Sequence, residues 1–73
     1  MMEECHYSMT IEWSDKDRVY IVSLPEWGPG AKTHGETYDG AVRSGREVLA
    51  MLVEDAQEHG RPLPQPRSFA MSA

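Results

Sequence analysis

A chain of 73 residues has room for one domain, and 40% hydrophobic against 26% charged residues is the balance of a folded domain rather than a disordered one. Its single cysteine, Cys5, excludes an internal disulfide and any multi-cysteine zinc site, and no apolar run approaches the roughly 18 residues of a membrane span. The formal net charge of −5 disfavours nucleic acid as a direct partner and suits a basic protein.

A core this small rarely leaves more than about 3–5 kcal/mol of net stability without a staple, so oligomerisation or a bound partner is the expected further source. The opening "MMEECHYS" is acidic and lacks the basic-then-apolar order of a signal peptide, which makes a cytoplasmic location the expectation. The whole chain, residues 1–73, is expected to form the domain, with 1–4 and 71–73 as frayed tails.

The first predicted strand is "CHYSMTIEW". Cys5, Tyr7, Met9, Ile11 and Trp13 alternate with His6, Ser8, Thr10 and Glu12, the period of a strand with one buried face. "SDKD" is a polar turn, and "RVYIVSL", Arg18 to Leu24, is a second strand rich in β-branched and aromatic residues. A four-residue loop pairs Trp13 with Arg18, Ile11 with Tyr20, Met9 with Val22 and Tyr7 with Leu24. This register gathers the apolar set on one core face. The reverse face carries Ser8, Thr10, Glu12 and Ser23 around an apolar pair, Val19 and Ile21. Nothing later in the chain is suited to cover that face, so Thr10, Val19 and Ile21 are the candidate contacts for a partner or a second subunit.

Pro25 ends the second strand because it has no N–H to donate. "EWGPG" is a turn, "AKTHG" a short third strand, and Thr37 the N-cap of a helix of about six turns. Along that helix Ala41, Val42, Gly45, Val48, Leu49, Leu52 and Ala56 recur at three- and four-residue steps, one apolar stripe. Asp39, Arg43 and Glu47 step along the opposite side at i,i+4. Gly60 is the C′ residue and Pro62 prevents continuation. "RSFAM" is a candidate last strand. The expected class is α+β in two layers: a three- to four-stranded, mainly antiparallel sheet with one helix on one face, in the order β-β-β-α-β.

Catalytic constellations are thin. His34, Glu36 and Asp39 invite a metal or general-base site, but a strand-to-helix turn explains them and no further ligand is placed by spacing. Cys5 and His6 are neighbours on a strand and point to opposite faces, so they cannot form a nucleophile–base pair. His59 belongs at the helix C-terminus beside Asp55. "GPGAKTHG" lacks the order of a phosphate-binding loop, and Trp13 and Trp27 lack the basic stripe of a nucleic-acid surface. No catalytic residue, cofactor or metal is assigned. A metal-dependent nuclease relic would need Glu12, Glu36 and Asp39 to converge.

Several of these features occur together in a known order. They are Leu24-Pro25 after the second strand, the glycine-bearing loop Gly28 to Gly30, Thr33-His34-Gly35-Glu36-Thr37, Ala41 at the helix start, Gly60 at its end, and Leu63-Pro64-Gln65-Pro66. Over about residues 7 to 66 the chain resembles the HicB family of bacterial antitoxins. It departs from that pattern at Asp39-Gly40, where members usually carry an acidic pair before Ala. The resemblance implies a partial ribonuclease-H-like fold without the nuclease's acidic cluster. It also implies a protein that binds and blocks a small basic mRNA-cleaving toxin of the HicA type. Many members add a C-terminal DNA-binding domain, and the expectation here is a short form without one, with no direct DNA binding. A homodimer or higher oligomer is also expected. The alternatives are the nuclease relic and a homo-oligomeric domain with no toxin partner.

Overall fold

The computed structural model describes residues 6–67. Strands β1 (Thr10–Ser14), β2 (Val19–Ser23) and β3 (Lys32–Gly35) form an antiparallel sheet in the order β1-β2-β3, and one helix, α1 (Tyr38–Glu58), follows. The fold is α+β, with three strands and then a helix. A short 3₁₀ turn, Pro25–Trp27, leads out of β2 with Pro25 at its first position, where no N–H is wanted. Cys5 and most of the expected last strand lie outside the described residues.

The first hairpin differs in register from expectation. Ser14 pairs with Val19, Trp13 with Tyr20 and Ile11 with Val22, a displacement of two residues from the expected pairs. The loop is still four residues, now 15–18, because Arg18 adopts a left-handed backbone (φ 59°) and its N–H donates to the Ser14 carbonyl at 2.7 Å. Ser14 Oγ accepts the Asp17 N–H at 3.3 Å inside the same turn. An even displacement returns every side chain to its own face, so the expected apolar set stays together.

β1 is also shorter than expected, starting at Thr10. Its partner strand stops at Ser23, and the Leu24 N–H donates to the Ala31 carbonyl at 3.0 Å on the β3 side. Residues 6–9 therefore have no ladder to join.

Val22 and Leu24 are fully buried and form the core with Ala41 and Leu49. Met9, Ile11, Tyr20, Trp27, Ala31, Val48 and Leu52 pack around them. The helix buries Ala41, Gly45, Leu49, Val53 and Ala56. Val53 is an addition to the expected stripe, whereas Val42, Val48 and Leu52 stand half-buried at its margins. Two glycines set how closely helix and sheet approach. A Cβ on Gly35 would run into the backbone of Gly40 and Ala41 in the first helical turn, and one on Gly45 would meet Met9 Sδ at 2.7 Å and Val22 Cγ1 at 3.2 Å. Thr37 caps the helix, its Oγ1 accepting the Gly40 N–H at 3.0 Å. At the other end Arg61 N–H reaches the Ala56 carbonyl at 2.8 Å across Gly60, whose φ is 65°.

Candidate interaction surface

Side chains alternate across the sheet, so the helix side of the three strands is Ile11 and Trp13, Tyr20 and Val22, Thr33 and Gly35. The reverse side consists of the rows Thr10–Ser23–Lys32, Glu12–Ile21–His34 and Ser14–Val19. Among the described residues, no helix or strand lies over it. Thr10 is exposed, and Val19 and Ile21 are half-buried by their neighbours on the strands. The three candidate contact residues therefore share one face. Its centre is apolar and its rim polar, with Glu12 on one flank and Lys32 and His34 on the other. Such a surface resembles an interaction patch more than a catalytic cleft.

The outer edges of β1 and β3 have no strand partner among the described residues. Each offers backbone N–H and C=O groups to a further strand.

Glu26 was not singled out by the sequence. It sits in the 3₁₀ turn and accepts from three donors: Ser8 N–H, at 3.0 Å from both carboxylate oxygens, Ser8 Oγ–H at 2.9 Å and Arg67 N–H at 2.9 Å. Tyr7 O–H adds a bond to the Pro64 carbonyl at 2.7 Å and sets its ring edge-on to Trp27 at 5.3 Å. One carboxylate thus ties the segment before β1 to the segment after α1. Partial burial pushes its pKa up, but the Arg67 and Ser8 hydrogen bonds outweigh this and hold it below the ordinary glutamate value. No local pattern announces this role, because Ser8, Glu26 and Arg67 meet only in the folded chain.

The candidate ligands do not assemble. Glu12 lies on the uncovered face, Glu36 in the bend after β3 and Asp39 in the first helical turn, while His34 projects from the uncovered face. Among the described residues they form no group of three with ligand atoms close together. Asp55, Glu58 and His59 do, within 4.8 Å, but all three are exposed. Their proximity reflects local pairing at the helix end. His59 Nδ1 lies 3.2 Å from Asp55 Oδ1, and Arg61 Nη2 donates to Asp55 Oδ2 at 2.9 Å. The His59–Asp55 pair agrees with the sequence reading, and the Arg61 contact is an addition.

At the hairpin end of the sheet three aromatic rings stand in a row. Tyr20 meets Trp13 edge-on at 5.0 Å and stacks on Tyr38 at 4.4 Å. Trp13 and Tyr38 are 48% and 63% exposed. No helix of the described residues is long and apolar enough to cross a membrane. In comparisons with known proteins, the chain matches no family model, no curated protein and no solved structure.

Proposed function

We propose that this chain is an antitoxin-like binding module, similar to the HicB antitoxins, that acts in the cytoplasm without catalysing a reaction. Its partner would be a small basic mRNA-cleaving toxin of the HicA type, which it occludes by surface complementarity. The observation that carries this reading is the sheet face centred on Val19 and Ile21, which no helix or strand among the described residues covers, while α1 is committed to the other side. A net charge of −5 favours encounter with a basic partner, and the apolar centre supplies area for a lasting contact. The open edges of β1 and β3 support a homo-oligomer as part of the same reading.

The test is co-purification with the small basic protein encoded by a neighbouring reading frame, followed by an RNA-cleavage assay. The pair is expected to cleave RNA far more slowly than the toxin alone, and equal rates overturn the proposal. An Ile21→Glu variant is expected to fold and to lose the partner, because it places a charge at the centre of the patch without touching the core.

A further inference from the structure

In the aromatic row at the hairpin end Tyr20 packs against the core, while Trp13 and Tyr38 lie outside it. α1 packs chiefly on β3 and β2 rather than on β1. Its first turn lies over Gly35, the residue opposite Tyr20, so Trp13 on the far strand is left beyond the helix. Tyr38, the first helical residue, closes down on Tyr20 and keeps its own outer face in water. The result is a continuous step of π-surface with half-exposed or more exposed rings at both ends.

The chain around this step is acidic. Asp15 accepts the Trp13 indole N–H at 3.4 Å, which places a carboxylate at the ring's edge. Asp17 lies in the same loop, and Glu36 and Asp39 flank Tyr38 in sequence. Among the described residues none of these four forms an ion pair. The nearby loop cations are Lys16 and Arg18, so carboxylates are in excess. Aromatic faces next to unpaired carboxylates are the chemistry that receives guanidinium. Its plane stacks on the ring while its N–H groups reach the carboxylate, which ammonium does less well.

We infer that the Trp13–Tyr20–Tyr38 step is a docking site for arginine side chains on a basic protein partner. This rests on the reading above for the partner's charge, and it adds a second contact surface, with a chemical preference, to the Val19/Ile21 face. Other occupants, such as a second copy of the chain, are outcomes of the test.

The probe is an Arg-Gly-Arg-Gly-Arg peptide, compared with its lysine and citrulline counterparts, titrated into the full chain at low salt and followed by NMR. The Trp13 indole and Tyr38 ring signals are expected to move, saturating at about two- to fivefold lower concentration for arginine than for lysine, with no response to citrulline. Tyr38→Ala, at the most exposed ring, should keep the fold and remove the arginine preference. Asp15→Asn should weaken binding and its salt dependence. Equal response to the arginine and lysine peptides overturns the inference, as do shifts confined to the Ile21 face. A chain that self-associates through Trp13, and separates when Tyr38 is truncated, overturns it as well. The two proposals fail separately. If a basic toxin is neutralised equally well by Tyr38→Ala, the arginine site falls and the antitoxin reading stands. If the peptide binds as expected but no toxin is inhibited, the reverse holds.

Discussion

At the scale of single residues, Glu26 has the widest structural reach. It holds Ser8 in the segment before β1 and anchors the Arg67 backbone from the segment after α1. Because its carboxyl is held below the ordinary value of 4.5, its contribution to stability is complete above that pH and is lost as the pH falls through the lowered folded value. Glu26→Gln is therefore expected to lower the urea midpoint at pH 7. The gap between variant and parent should close as the pH falls through the lowered folded value. A gap that stays constant across this range would show that the charge has no part in the clasp. Gly35 and Gly45 make a contrasting pair. A methyl group at Gly35 meets backbone that cannot move without displacing the helix, so Gly35→Ala should cost about 2–3 kcal/mol. At Gly45 the main obstacle is the flexible end of Met9, and the gain in helix propensity is about 1 kcal/mol, so Gly45→Ala should stay within about 1 kcal/mol of the parent. Thermal melts of the two variants distinguish these outcomes.

At the scale of elements, the hairpin and the helix start are the informative junctions. Arg18 occupies a left-handed conformation that suits glycine, so Arg18→Gly should raise stability by up to about 1 kcal/mol without altering the register. Thr37→Ala removes the acceptor for Gly40 N–H and should cost about 1 kcal/mol, seen as a lower urea midpoint with an unchanged slope. The elements themselves were legible. Period-two alternation marked the first strand, β-branched and aromatic content marked the second, Pro25 marked the end of β2, and three- and four-residue spacing marked α1. The hairpin register was not legible, because nothing in "SDKDR" announces that an arginine, not a glycine or asparagine, takes the left-handed position. Faces survived that error because the displacement was even. Val53 escaped the expected stripe because Leu52 fits the same three- and four-residue spacing, and only the seating of the helix puts Val53 inside and Leu52 at the margin.

At the scale of the molecule, α1 covers one side of the sheet, and among the described residues no helix or strand covers the other side or pairs with the outer edges of β1 and β3. Association with a basic partner should be steered by the chain's negative charge. Raising the salt from about 50 to about 500 mM is expected to slow association by about tenfold or more, with a smaller effect on dissociation, as stopped-flow mixing can measure. An association rate indifferent to salt would remove charge from the recognition. The candidate patch was legible to the extent that alternation placed Thr10, Val19 and Ile21 on the face away from the core. The carboxylate clasp and the aromatic step were not, since each joins residues distant in the chain.

By itself the sequence determined the order of strands and helix, the two faces of the sheet and the apolar side of the helix, because periodicity and backbone chemistry act over a few neighbouring residues. Tertiary structure alone decided where the helix sits across the strands, and with it which aromatic rings remain outside. It alone also decided that Glu26 holds both ends of the described chain. These depend on close approach between distant segments, governed by the bare backbone at Gly35 and Gly45, and no local pattern encodes that distance.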